Sequence, residues 1–196
     1  MLLPFSARAK KWEPHAQALR KRLNLSSSQI LDPYKLAAAV GLRLVDLRSV
    51  CEQLDKESAE QVLVRDKDSW SGGVFARPLP DGTRICILNS THGPRRTKIT
   101  LMEEIAHIHL RHTPTSLIRL ADGLRRREYN KAQEEEAYGV GAAALLPWET
   151  FFRAINSGRT IDQLAEKHDL SEQLIQYRIQ ITGGYKLYRA RQRARG

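Results

Sequence analysis

A run of small residues places the tightest limit on how this chain can fold. Gly139-Val-Gly-Ala-Ala-Ala-Leu-Leu146 lies toward the end of a helix expected over about 129–145, and Pro147 stops that helix. Glycine and alanine at these positions let a neighbouring element pack close. Other helices are expected over about 14–23, with Pro14 early in it, and from the N-cap pair Asp32-Pro33 to Gly41. A further one is expected over about 96–112, ended by Pro114, and a short one near 148–156. The last two open on Thr160-Ile-Asp-Gln163, a capping-box pattern, and on Ser171. Leu42 to Leu47 alternates apolar and charged residues as a half-buried strand does. More strands are expected near 61–65, 73–77 and 84–89, the last two flanking the turn signal Pro80-Asp81-Gly82. The pattern is α+β: a small, mainly antiparallel sheet with helices, then a helical C-terminal unit.

The net charge of +10 sits entirely at the two ends. Arg8, Lys10, Lys11, Arg20, Lys21 and Arg22 face only Glu13 in the first 24 residues, and residues 185–196 hold five cations and no acid. Such segregated charge attracts nucleic acid or an acidic partner, or simply solvates two frayed ends. No apolar run approaches the roughly 18 residues of a membrane span, so no membrane partner is expected. Cys51 and Cys86 make neither a CxxC pair nor a disulfide framework, which fits a reducing cytoplasm. Cys86 reads as core on its strand, and Trp12, Trp70 and Trp148 as packing or surface anchors without a stacking pattern for RNA.

Chemistry concentrates in Leu101-Met-Glu-Glu-Ile-Ala-His-Ile-His-Leu-Arg-His112. Glu103 and His107 are four apart, so they leave one helical face about 40° from each other, with Glu104 roughly 100° away on the same side. This is the HExxH layout with glutamate in place of the first histidine. In the standard form two histidines bind zinc and the glutamate polarises the attacking water.

The surroundings extend the likeness. Ile87-Leu-Asn-Ser-Thr-His-Gly-Pro-Arg-Arg-Thr-Lys-Ile-Thr-Leu-Met-Glu-Glu-Ile-Ala-His107 resembles the ImmA/IrrE family of metallopeptidases, in which a strand ending in Asn leads through a loop into R-x-[RK]-[FI]-T-L-x-H-E-x-x-H. Arg96, Lys98, Ile99, Thr100, Leu101, Glu104 and His107 match. Glu136-Ala-Tyr-Gly-Val-Gly-Ala-Ala-Ala-Leu-Leu-Pro147 resembles the family's E-A-N-x-F-A-x-x-L-L-x-P helix, with Tyr138 where Asn is usual. The resemblance covers roughly 30–155 and implies a zincin-like fold. It implies a cytoplasmic metal-dependent endopeptidase that acts on a helix-turn-helix repressor, hence a part in transcription regulation and stress response. Glu104 would be the general base, and Glu103, His107 and Glu136 would hold a divalent ion, zinc or manganese. Two anionic ligands would make the ion a weaker Lewis acid and shift preference toward manganese. A catalytically inactive zincin-like regulator that binds DNA or a repressor is the alternative.

Glu134 and Glu135 compete with Glu136, because a one-residue change of helix phase alters which carboxylate points inward. His112 is an accessory candidate, His92 an equally open one, and His109 lies well round the helix from Glu103. Three carboxylates brought together need an offset, since each pair at about 4 Å repels by roughly 4 kcal/mol at an effective dielectric of 20. A cation, a retained proton or a basic side chain can supply it.

Residues 160–179 have helix, turn, helix spacing, with Leu164, Ala165, Leu170, Leu174 and Ile175 as a small core. Read as a DNA-binding unit, Gln173, Gln176, Tyr177 and Gln180 form its outer face, and Lys186, Arg189, Arg191 and Arg193 hold phosphates. Three basic against four acidic groups over 157–184 favour a protein partner or a packing role instead. The expected organisation is a basic extension (1–27), a metallopeptidase-like domain (28–155), a helix-turn-helix-like unit (156–184) and a basic tail (185–196).

Overall fold

The Ser6 hydroxyl accepts a hydrogen bond from the Ala9 amide and starts helix α1 (Ala7–Lys21). The helix runs through Pro14 rather than beginning near it, held by a buried face of Ala9, Trp12, Ala16 and Leu19. In this computed structural model, residues 3–75, 77–113, 117–119, 125–127 and 130–194 are described. Asp32 caps α2 (Pro33–Ala39) by accepting from the Tyr34 amide at 2.9 Å. Gly41, at φ +75°, then turns the chain into β1 (Leu42–Asp46).

Between β1 and the next strand lie α3 (Leu47–Cys51) and α4 (Lys56–Glu60), the latter continuing into one π-helical turn over Gln61–Arg65. The strand expected near 61–65 does not form. Asp55 caps α4 by accepting from the Ser58 amide at 3.0 Å, and the helix so nucleated propagates through the apolar run. β2 (Gly72–Val74) and β3 (Arg84–Leu88) make the expected hairpin; in its turn Gly82 takes φ +82° and Asp81 accepts from the Thr83 amide. β3 is central: β2 pairs with it antiparallel and β1 parallel, Leu42 opposite Arg84 through Asp46 opposite Leu88. The small sheet is therefore mixed, because the helical segment after β1 provides the crossover a parallel pair requires.

At the end of β3, Asn89 organises the loop that leads to the next helix. Its side-chain amide donates to the carbonyls of Lys67 and Trp70, both at 2.7 Å, while its oxygen accepts from Thr91. Pro94 at the first position opens α5 (Pro94–Leu110). Gly72 lets β2 approach this helix, since a Cβ there would lie 2.8 Å from the Thr100 methyl. Pro114, the expected stop, lies outside the described residues, and α5 already ends where Arg111 adopts a left-handed conformation at φ +57°. A short antiparallel pair, β4 (Leu117–Arg119) and β5 (Arg125–Arg127), precedes α6 (Lys131–Leu145). Then come α7 (Trp148–Asn156), α8 (Ile161–His168), α9 (Glu172–Thr182) and α10 (Tyr185–Arg193). Thr160 and Gln163 form the anticipated capping box, and Ser171 caps α9.

The core is built on α6. Its small-residue face meets α5 and α1 at once: a Cβ on Gly141 would lie 3.1 Å from the Met102 backbone, and one on Gly139 only 2.2 Å from the Trp12 ring. Within the basic extension, α1 thus supplies core through Trp12, Ala16 and Leu19. Arg20 is fully buried and donates to the carbonyls of Ala144 (2.7 Å), Ser26 (2.5 Å) and Gln29 (2.5 Å), closing the C-terminal end of α6. Buried Glu13 accepts from the Arg178 guanidinium at 2.5 Å and from the Trp148 amide at 3.1 Å, tying α1 to α9 and to the start of α7. The basic tail forms α10 and packs on α7 and α9 through Leu187 and Tyr188.

Gly139→Ala provides a test in which two effects oppose. Helix propensity alone predicts stabilisation by about 1 kcal/mol. The Trp12 contact predicts a loss of about 2–3 kcal/mol from overpacking, and the steric effect should win. Denaturant unfolding of the two proteins measures the sign; a stabilised variant contradicts the packing described.

Candidate metal centre

Glu103, Glu104 and His107 all lie on the second half of α5, beside the first turn of α6. α6 begins where Asn130 accepts from the Gln133 amide, which sets the helix phase for the three glutamates that follow. At 100° per residue they diverge. Glu134 faces α5, and its Oε2 lies 3.5 Å from His107 Nε2. Glu135 pairs with Arg8 of α1. Glu136 lies 3.2 Å from His112 Nε2.

Among the described residues, Glu103, His107 and Glu134 form the group able to hold an ion, with one donor atom from each lying within 4.8 Å of the others. Of the three α6 carboxylates weighed for the third ligand, Glu134 is the one in this group. Neither Glu136 nor Glu135, the weaker candidate, joins the group. A usable signal for this was present. The buried face of α6 runs through Ala137, Val140, Gly141 and Ala144, and counting back from Ala137 by three reaches Glu134. His112 is not in the group either. The helix ends two residues before it, and the chain folds His112 back so that its Nδ1 lies 3.0 Å from His107 Nδ1.

Charge is concentrated here. Burial first, then Glu134 and Glu104, push the Glu103 carboxyl up to about 7. Burial and the same Glu103 raise the Tyr138 phenol, whose ring meets Tyr177 edge-to-face at 4.8 Å. Cys86, wholly buried on β3, is pushed up to about 12 by burial and by Glu104, so the thiol stays protonated and unreactive. The donor set of two carboxylates and one imidazole suits a divalent ion such as zinc or manganese. The raised Glu103 carboxyl marks the place where a cation would relieve repulsion.

The other residues singled out lie elsewhere. His109 faces α1, its Nε2 3.4 Å from His15 Nδ1, and burial, His15 and Arg22 lower its pKa. His92 contacts the Lys67 carbonyl at 3.1 Å. Gln173, Gln176 and Gln180 are exposed on α9, but Tyr177, expected on the same outer face, turns inward onto Tyr138. Lys186, Arg189, Arg191 and Arg193 are exposed on α10; Arg189 covers the Tyr185 ring, and Arg191 donates to Asn156.

A helix pair that gathers carboxylates and an imidazole beside a small mixed sheet gives the layout of a zincin-like α+β metallopeptidase. The chain belongs to the ImmA/IrrE family: the peptidase family model described as the IrrE N-terminal-like domain matches residues 56–180. That span takes in all three residues of the candidate centre and reaches through α8 into α9. No curated protein matches the chain. Among the described residues, no helix is long and apolar enough to cross a membrane.

The raised Glu103 pKa has a stability consequence with a definite sign. The folded protein keeps a proton that the unfolded chain releases above about 4.5, so metal-free stability falls as pH rises from there through about 7. At about 1.4 kcal/mol per unit the loss is of order 3 kcal/mol. Chemical denaturation across pH 4–8 should show this slope in the metal-free protein and show it reduced in Glu103→Gln. Equal slopes would contradict the buried, repelled carboxyl.

Proposed function

We propose that this protein is a metal-dependent endopeptidase that cleaves a helix-turn-helix transcriptional repressor, with Glu103, His107 and Glu134 holding the ion. The convergence of these three donors, with Glu104 one residue along the same helix, is the observation that supports it. When bound, a divalent ion polarises the scissile carbonyl and makes water more acidic. Glu104 serves as general base: it takes a proton from the attacking water and returns it to the departing amide nitrogen. The repressor as substrate follows from the resemblance of the Arg96–His107 and Glu136–Pro147 segments to the family pattern.

The reading is tested with the protein loaded with zinc or manganese and a helix-turn-helix repressor encoded beside it. Cleavage should fall at least 100-fold in Glu104→Gln while bound metal and fold stay unchanged. Equal cleavage by the variant, or no metal retained by the wild type, would sink the proposal.

A catalytically inactive regulator is the second reading, supported by the exposed cations of α10 beside the exposed glutamines of α9. It predicts DNA binding with a logarithmic salt slope of about −3 to −4, lost in a Lys186→Ala/Arg189→Ala/Arg191→Ala/Arg193→Ala variant. Absence of DNA binding at low salt would leave only the protein-partner form of that reading.

A further inference from the structure

We propose that the cavity bounded by the C-terminal ends of α1, α2 and α5 binds a small carboxylate with a short apolar tail, its charge held by Arg22 and Arg111. The cavity measures about 310 Å³, at the small end of ligand sites. At about 30 Å³ per water-sized atom it has room for roughly ten of them. Leu19, Val40, Ile105 and Ile108 supply its apolar wall, and the two arginines with His109 its polar one.

Charge sets the head of the ligand. Among the described residues, no acidic side chain lines the cavity, and neither guanidinium makes a hydrogen bond or an ion pair. Arginine at a helix C-terminus often answers the helix dipole, and three helices end here. Backbone amides take the terminal carbonyls instead. Arg22 bonds Leu19, Leu23 bonds Arg20, Val40 bonds Leu36, Gly41 bonds Ala38, Arg111 bonds Ile108 and His112 bonds His107. The helix ends contribute at most about −0.5 charge each, against two full positive charges. The N–H donors of both guanidiniums therefore remain for a ligand, and a carboxylate matches their fork. Guanidiniums stay cationic at any pH the fold tolerates, so the site requires no particular proton position on His109.

The apolar wall sets the tail. A bare inorganic anion would leave four aliphatic side chains against water, whereas an alkyl chain of about five carbons covers them. Ile105, Ile108 and His109 leave α5 on the side away from Glu103 and His107, so this ligand and a metal would use different sides of one helix. Both α1 and α2 precede the span that the family model matches, and the cavity forms where they border α5. The inference stands apart from the metal-centre reading, and neither depends on the other.

Methyl NMR of the full-length protein tests the site with hexanoate, hexanamide and inorganic phosphate as probes. Hexanoate should shift the methyl signals of Leu19, Val40, Ile105 and Ile108 saturably, at one site per chain and with a Kd of about 1 mM or tighter. Hexanamide, with the same tail and no charge, should bind at least about 10-fold more weakly. Phosphate should leave those methyls unmoved at the same concentrations. The Arg22→Gln/Arg111→Gln variant should lower hexanoate affinity to that of the amide. Ala39→Trp, at an exposed position on the edge of the cavity, should abolish binding by filling it. Thermal melts and unchanged methyl signals away from the cavity verify that the variants are folded. Equal affinity for hexanoate and hexanamide, or equal hexanoate affinity in the wild type and the double arginine variant, would overturn the proposal. So would phosphate displacing hexanoate at equal concentration, shifts confined to other methyls, or no saturable shift up to about 10 mM hexanoate.

Discussion

The close approach of α5 and α6 is the constraint on which the rest depends. Bulky residues along Gly139–Ala144 would hold the helices apart, and Glu134 would no longer reach His107. With glycine at 139 and 141, the α6 backbone lies directly against Trp12 on one side and Met102 on the other. One helix is thereby wedged between α1 and α5, and its first turn is delivered to the side of α5 that carries the acidic residues. The buried contacts of Arg20 and Glu13 secure the same arrangement from the far end, linking α1 to the end of α6, to α7 and to α9. Removing one partner of such a buried ion pair leaves an uncompensated charge, so these links hold the helices in register as well as in contact.

Electrostatics then determine which carboxylates remain for a cation. Five glutamates crowd the α5–α6 seam, and each finds a different answer. Arg8 neutralises Glu135, and His112 engages Glu136. Glu104 lies near the Cys86 thiol, which burial first and then this carboxylate keep protonated. Glu103 and Glu134 are left facing each other across His107, and at neutral pH Glu103 retains its proton for much of the time. A divalent ion would replace that proton with benefit to both carboxylates. Under the proposed reading, two anionic donors would also soften the ion's pull on water and substrate, and the chemistry would rely more heavily on Glu104 than in a two-histidine site.

What could be read from the residues divides by distance along the chain. Asp32-Pro33, Thr160 with Gln163, Ser171 and Asp81-Gly82 act on amides within a few residues of themselves, and each element they announced is there. Elements decided by remote contacts were less legible. Pro14 read as a helix start, but the buried face of α1 against α6 carries the helix back to Ser6. The excess positive charge near the N-terminus read as a basic extension, and nothing in it announced that Arg20 lies in the core or that Arg8 pairs with Glu135. At the site, the spacing of Glu103, Glu104 and His107 was enough to name the α5 residues. The choice among Glu134, Glu135 and Glu136 depended on the phase set by Asn130, and the place of His112 depended on a left-handed Arg111 that no pattern announces.

Anomalous diffraction from crystals of the zinc- or manganese-loaded protein addresses the centre most directly. The expected result is one peak per chain, about 2.0–2.2 Å from a carboxylate oxygen of Glu103, a carboxylate oxygen of Glu134 and Nε2 of His107. Glu136 should be seen bonded to His112 and not to the ion. A peak bound by Glu136 or His112, or no peak at the α5–α6 seam, would contradict the assignment of the three ligands.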